Sequence, residues 1–201
     1  MTQSPNTLMY DLFTQVGNPN GWNSADHQQD NFTKIVQLSN MCNRSLIGSC
    51  ILDVGCGTGK LYEFLQPHQI GKYVGIDLYH PSLEIARQTY PQARFLEQNI
   101  VEPSVEFHTP FDYVFCSGAL TTRVENNYTF LEQMVQRMDQ LAIHGIYFNF
   151  LTKIDEDNAD LLFAYDPSKV EAICHTLQRK VNLVKNSNHQ EGHVFVYSKE
   201  Q

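Results

Sequence analysis

Positive charge is scarce in this chain: over its 201 residues 14 Lys and Arg stand against 22 Asp and Glu, a formal net charge of −8. Affinity for nucleic acid rests largely on cations that neutralise phosphates, so this balance disfavours a nucleic-acid partner and suits a small or cationic ligand better. Long apolar runs are missing too; no stretch approaches the ~20 residues of a membrane helix, and a soluble protein without a membrane partner is expected. The first residues, Met1-Thr2-Gln3-Ser4-Pro5-Asn6, have neither the basic start nor the apolar core of a secretory leader, which makes the cytoplasm the expected compartment. The five cysteines (Cys42, Cys50, Cys56, Cys116, Cys174) are odd in number and contain no C-x-x-C pair, a pattern of reduced thiols rather than a disulfide framework or zinc site. Asp155-Glu156-Asp157 has D-x-D spacing but lacks the glycine and terminal Glu of a calcium loop, and His189 and His193 do not share a helical face, so no metal site is expected. Repeats and low-complexity tracts are absent as well.

What the chain does have is a centre. Ile51-Leu52-Asp53-Val54 is an apolar strand that runs into Gly55-Cys56-Gly57-Thr58-Gly59, and Lys60-Leu61-Tyr62-Glu63-Phe64-Leu65 follows as a helix. Glycines there permit positive φ and close approach of backbone to a ligand. The spacing alone does not settle the ligand, since many nucleotide folds use such turns and the dinucleotide fingerprint G-x-G-x-x-G wants its third glycine one residue later. Lys72-Tyr73-Val74-Gly75-Ile76-Asp77 is a second strand that ends in an acid, placed where a carboxylate can accept both hydroxyls of a ribose. Strands then follow near 93–100, at 111–116 and at 145–151, separated by helices from Pro81, from about Asn126 to Leu141, and from Asp166-Pro167. Phe130, Leu131, Met134, Val135, Met138 and Leu141 share one face of the second of these helices and read as core. Lys180–Lys185 and His193–Ser198, joined by 186–192, read as a hairpin. Before the first strand, Phe32, Ile35, Val36, Leu38 and Met41 predict a helix over 25–44, and Leu8 to Val16 predict a shorter one ended by Gly17-Asn18-Pro19-Asn20-Gly21. The length suits one domain, 1–201, with a helical cap at 1–48 and an α/β core at 49–201.

Asp53-Val54-Gly55-Cys56-Gly57-Thr58-Gly59 closely resembles the first motif of the class I, Rossmann-like, S-adenosylmethionine-dependent methyltransferases. The resemblance covers roughly 49–151 by motif and reaches the final hairpin by layout. It implies a doubly wound, mostly parallel seven-stranded sheet with a C-terminal antiparallel hairpin strand, and S-adenosyl-L-methionine as cofactor. It places Asp53, Gly55, Cys56, Gly57, Gly59, Asp77, Leu78, Asn99, Ile100 and Cys116 around that cofactor, with Asp77 on the ribose and Ile100 against the adenine ring. Asn99 departs from the acid the family commonly carries there; its amide carbonyl can still accept from the adenine amino group. Cys116 reads as a buried strand-end thiol, since it lacks the preceding Pro of a pyrimidine C5 enzyme. After the fourth strand, Ser117-Gly118-Ala119-Leu120 shows neither the Pro-Pro-aromatic run of amino-base methyltransferases nor the acids of metal-dependent diol enzymes. By the same resemblance the cap shapes the acceptor pocket, with Tyr10, Trp22, Gln28 and Phe32 as candidates beside Ser117, Arg123 and Tyr165.

The cofactor already activates the methyl, so no dedicated catalytic residue is required unless the acceptor must lose a proton; His27, His80, Tyr165 and Asp166 are then the candidate bases, and the sequence does not choose among them. Asn149, polar within an apolar strand, needs hydrogen-bond partners, for which a structural bond is favoured over a pocket contact. Three functions stand: methylation of a small metabolite, which the charge favours; methylation of a protein or RNA; and a module that binds the cofactor or its demethylated product without catalysis.

Overall fold

The computed structural model describes residues 24–102, 107, 109–186 and 190–197. Helix α1 (Ala25–Met41) is followed by β1 (Cys50–Val54), α2 (Lys60–Leu65), β2 (Lys72–Asp77), α3 (His80–Thr89), β3 (Arg94–Glu97) and β4 (Phe111–Cys116). Then come α4 (Asn127–Leu141), β5 (Ala142–Leu151), α5 (Pro167–His175), β6 (Lys180–Asn186) and β7 (Glu191–Tyr197). One seven-stranded sheet has the order β3-β2-β1-β4-β5-β7-β6, parallel from β3 to β5, with β7 antiparallel to both of its neighbours. This is the doubly wound sheet with a closing hairpin that the sequence predicts.

Alternation along the strands divides the core between the two faces. Ile51, Tyr73, Phe95, Tyr113, Phe115, Tyr147 and Phe195 face Ile35 and Leu38 of α1, Leu61 and Leu65 of α2 and Leu83 of α3. Leu52, Val74, Val114, Ile146, Phe148 and Val194 face Leu131, Val135 and Met138 of α4 and Val170 and Cys174 of α5. Caps begin the helices where the sequence places them: the Ser24 hydroxyl accepts from His27 N at 3.1 Å, the Asn126 side chain from Thr129 N at 3.1 Å, and Asp166 Oδ1 from Ser168 N at 2.8 Å.

Three of the boundaries that differ from the sequence reading bear on the packing. Helix α1 stops at Met41, and Asn43 just beyond it takes a left-handed φ of 51°. Strand β5 starts at Ala142 because the C-cap of α4 is already extended there (φ −96°, ψ 129°). Strand β7 starts at Glu191, not His193, so a residue expected in the connecting loop is in the sheet and buried. Gly192 makes that possible: a Cβ on it would lie 2.2 Å from the Phe150 ring. The predicted helix near Leu8–Val16 and the Gly17–Gly21 turn lie outside the described residues.

Candidate active site

The carboxyl ends of β1 to β4 meet at a cleft of about 620 Å³, open mouth included, as ligand sites of open α/β sheets do. Its rear wall is the glycine turn, in which Gly55, Gly57 and Gly59 all take positive φ (74°, 51° and 81°). The turn is tied down by its own amides. Gly55 N and Cys56 N donate to the Ile76 carbonyl at 2.8 and 3.1 Å, and Gly59 N donates to the Cys56 carbonyl at 2.9 Å. A Cβ on Gly55 would stand 2.4 Å from Cβ of Ala119, so the missing side chain lets the turn after β4 close against the turn after β1.

Asp77 stands at the tip of β2, 4% exposed and lining the cleft. Oδ2 accepts from Gly57 N at 2.8 Å and Oδ1 from Tyr79 N at 2.9 Å. The Leu78 amide also reaches the carboxylate, which with about four acceptor positions still keeps capacity for a ligand. Burial raises its pKa, opposed by the backbone donors. Beside it Leu78, 49% exposed, is one of the most exposed large apolar side chains described, and with buried Ile100 it offers apolar walls.

Asn99 also lines the cleft, but its Oδ1 accepts from Val101 N at 3.2 Å and so closes its own turn. The acceptor without a partner there is Gln98 Oε1, which is buried. Gly55, Asp77, Leu78, Asn99 and Ile100 are thus brought together. The other five residues expected around the cofactor stand behind them. Gly57 and Gly59 shape the turn. Asp53 is buried beneath it, hydrogen-bonded by the Tyr73 hydroxyl and pushed up to about 7, mainly by burial. Cys56 and Cys116 are core thiols, both raised by burial, with Cys116 wholly inaccessible.

The expected acceptor-side residues scatter. Phe32 is 5% exposed and packs on Phe64 with ring centroids 5.5 Å apart, in the core under α1, because its helical register points it at the sheet. Tyr165 is buried among Phe150, Phe163 and Tyr128, with its hydroxyl bonded by Asn127 Nδ2 at 3.3 Å. Arg123 Nε donates to the Ala159 carbonyl at 2.6 Å and its guanidinium lies over Phe163 at 5.3 Å. Ser117 is half-buried with an Oγ that has no partner, and Gln28 is half-buried on α1. Tyr10 and Trp22 lie outside the described residues. Of the candidate bases, Asp166 caps α5, His80 is exposed between Glu97 (2.8 Å) and Glu84 (3.9 Å), and His27 is buried with Nε2 3.2 Å from Glu191. Asn149 makes structural bonds, accepting from Gly118 N at 2.7 Å and donating to Glu191 Oε1 at 3.4 Å.

Sequence reasoning missed Gln98, Tyr79, Ala119, Thr122, Phe130 and Met134, all of which line the cleft. The apolar arc of α4 carries the one available signal. Leu131, Val135 and Met138 fill the core, while Phe130 and Met134, one turn apart on the arc's edge, reach the cleft.

The residues present suit S-adenosylmethionine: a diol acceptor in Asp77, an amine acceptor in Gln98, and apolar walls for a flat ring. Residues 51–140 match the family profile described as "Methyltransferase domain". No curated protein sequence matches the chain significantly. Among solved structures, magnesium protoporphyrin IX methyltransferase of Synechocystis, crystallised with S-adenosylhomocysteine, superposes with a TM-score of 0.70 at 14% identity, over 98% of this chain and 100% of that one. An S-adenosylmethionine-dependent methyltransferase of Clostridium acetobutylicum gives 0.71 at 14% identity, over 96% and 100%. The N-methyltransferase NodS of Bradyrhizobium japonicum, also with S-adenosylhomocysteine, gives 0.66 at 16% identity, over 95% and 98%. Such structural likeness establishes a shared Rossmann-like fold, and over residues 51–140 the chain also matches the methyltransferase-domain profile.

Proposed function

We propose that the chain methylates a small-molecule acceptor without a metal ion, and that the cleft between the glycine turn and β3 is where it holds its cofactor. The observation that carries this reading is Asp77, buried at the tip of β2 and aimed by two backbone donors into a cleft with apolar walls. In this reading Asp77 accepts the ribose hydroxyls, Leu78 and Ile100 flank the adenine ring, and Gln98, rather than Asn99 alone, accepts from its amino group. Gly55, Gly57 and Gly59 keep the backbone low enough for the cofactor to lie across the turn, and Asp53, Cys56 and Cys116 support it from below. Phe130 and Met134 close the cleft on the α4 side and exclude water.

When bound, S-adenosylmethionine supplies a sulfonium-activated methyl group, and what remains for the protein is positioning and the exclusion of competing water. The net charge of −8 supports a neutral or cationic metabolite over a nucleic acid. The packing of α1 into the same core as β1 and β2 supports one domain over 1–201 with 1–48 as its cap. Five free, buried or half-buried thiols support a reducing, cytoplasmic setting, and among the described residues no helix is long and apolar enough to cross a membrane. The test is transfer of label from methyl-labelled cofactor to a metabolite panel, with protein and RNA fractions in parallel. Incorporation into a metabolite supports the proposal. Incorporation only into protein or RNA overturns the acceptor class, and calorimetry showing no uptake of S-adenosylhomocysteine overturns the site.

A further inference from the structure

A second cavity lies at the opposite end of the sheet, roughly 17 Å along β2 from Asp77. It measures about 760 Å³, open mouth included, and Tyr62, Gln66, Lys72, Tyr73, Gln92 and Arg94 line it. Lys72 opens β2 and Arg94 opens β3, so two cations stand at the amino ends of neighbouring strands. No acid is among the lining residues. Glu63, next to Tyr62 in the chain, is held by Lys60 Nζ at 2.9 Å and by the Tyr90 hydroxyl at 2.8 Å.

The walls are fixed by the backbone. Gly71 N donates to the Ser49 carbonyl at 2.9 Å, and a Cβ on Gly71 would lie 2.3 Å from the Gly48 carbonyl oxygen, so the chain entering β2 is pressed against the loop before β1. Ala93 N donates to the Tyr90 carbonyl at 3.0 Å and closes the turn entering β3. The rings of Tyr62 and Tyr73 stand 5.0 Å apart and form an aromatic side. Tyr73 is buried with its hydroxyl bonded to Asp53, so it offers only its ring.

The remaining polar groups are uncommitted. Among the described residues the Tyr62 hydroxyl and the side chains of Gln66, Lys72, Gln92 and Arg94 have no hydrogen-bond or ion-pair partner, whereas Lys34, Lys60, Arg87 and Arg179 are each paired with an acid. In a chain of net charge −8, two cations left beside one acid-free cavity make a local positive field, and an anion bound beside both relieves their mutual repulsion. Arg94 can meet a carboxylate or phosphate with two parallel bonds, Lys72 adds a point charge, and the amides and the Tyr62 hydroxyl suit a polar edge of a ring stacked on the tyrosines.

We propose that this cavity is a second ligand site, separate from the cleft, for a small molecule made of a flat ring bearing a phosphate or carboxylate group. Its volume falls in the range of small-molecule pockets. The proposal does not depend on the cofactor reading, because the two cavities share no lining residue.

The test is calorimetry on the full chain with phenyl phosphate, benzoate and inorganic phosphate, each titrated in the presence of S-adenosylhomocysteine so that the cleft is not counted. Phenyl phosphate or benzoate is expected to bind saturably in the millimolar range or tighter, several-fold ahead of inorganic phosphate, and more weakly as salt rises. Phenyl phosphate ahead of benzoate assigns a phosphorylated ligand, and the reverse a carboxylate. Arg94→Ala and Lys72→Ala should each weaken binding about fivefold or more, and Tyr62→Ala should erase the lead over inorganic phosphate, with circular dichroism verifying the fold. No saturable heat from any of the three, or affinities unchanged when Lys72→Ala and Arg94→Ala are combined, overturns the site. Inorganic phosphate binding as tightly as phenyl phosphate overturns the ring-bearing ligand class.

Discussion

Gly57 N donates to Oδ2 of Asp77 at 2.8 Å. The glycine turn and the acid at the tip of β2 are therefore one unit: the turn aims the carboxylate, and the carboxylate satisfies an amide that a glycine-rich turn would otherwise leave for a ligand or water. With Gly55, Cys56 and Gly59 bonding inside the same region, the turn works by shape and by holding Asp77.

Asp77→Ala is accordingly expected to weaken S-adenosylhomocysteine binding by well over tenfold, since charge-assisted bonds to two hydroxyls are worth roughly 1.5–3 kcal/mol each. Asp77→Asn should fall between, because it keeps one acceptor but turns the other towards an amide donor. Calorimetry at fixed pH, with circular dichroism to verify folding, measures the series. An alanine variant that binds like the parent would mean that the ribose lies elsewhere.

Gln98→Ala and Asn99→Ala separate two neighbouring amides. Loss of Gln98 should reduce cofactor affinity by about fivefold, the worth of one neutral hydrogen bond. Loss of Asn99 should act mainly on stability, through the Val101 N bond at 3.2 Å, with a fall of a few degrees in Tm. The reverse pattern, binding lost with Asn99 and intact without Gln98, would restore the assignment expected from sequence.

Gly55→Ala should destabilise the fold for two reasons that can be taken apart. Its φ of 74° is strained for any L side chain, and its Cβ would meet Cβ of Ala119 at 2.4 Å. Pairing it with Ala119→Gly should recover the steric part and leave about 1 kcal/mol of backbone strain. Urea unfolding of the two single variants and the double variant gives the coupling.

Asp53 predicts how stability depends on pH. Its pKa is pushed up to about 7 from 3.8, first by burial, with the Tyr73 hydroxyl opposing the rise. The folded state thus holds this proton when the unfolded chain has lost it, so its contribution is fully present below about pH 4 and is lost as pH rises to about 7. The span is at most about 4 kcal/mol. Unfolding free energies at pH 5 and 8 should differ less in Asp53→Asn than in the parent, and Tyr73→Phe should move the window to higher pH. Asp77 is raised in the same direction and its charge is one cause of the Asp53 shift, so Asp77→Asn is measured in parallel to take its share apart.

Legibility followed chemistry more than position. The strand, the three glycines and Asp77 were readable because few side chains can do what that turn and tip require, and the mostly parallel sheet with its antiparallel close followed from alternating strands and helices that end in a hairpin. Gln98 was not readable: two adjacent amides look alike in sequence, and which keeps an unused acceptor depends on the Asx-type bond that Asn99 makes to Val101. Glu191 was hidden by its neighbours. Asn186, Gln190 and Gly192 read as a solvated turn, and the burial of Glu191 comes from α1, far away in the chain, which brings His27 and Asn31 onto it. For Phe130 and Phe32 the helical period says which face is covered, but not by what.

These two phenylalanines provide the final prediction, because they were read with opposite roles. Phe32, expected to face the acceptor, is 5% exposed in the core against Phe64, whereas Phe130, expected in the core, is half-buried at the cleft. Phe32→Ala should cost about 3–5 kcal/mol of stability, as a large buried aromatic does, and leave the affinity of the remaining folded protein for S-adenosylhomocysteine near that of the parent. Phe130→Ala removes less buried area and should cost about 1 kcal/mol, but it opens the α4 wall of the cleft and should weaken binding several-fold. Chemical denaturation and calorimetry on the same two preparations settle it: if stability and affinity fall together in both variants, the cleft wall and the core under α1 are not the separate units that their packing describes.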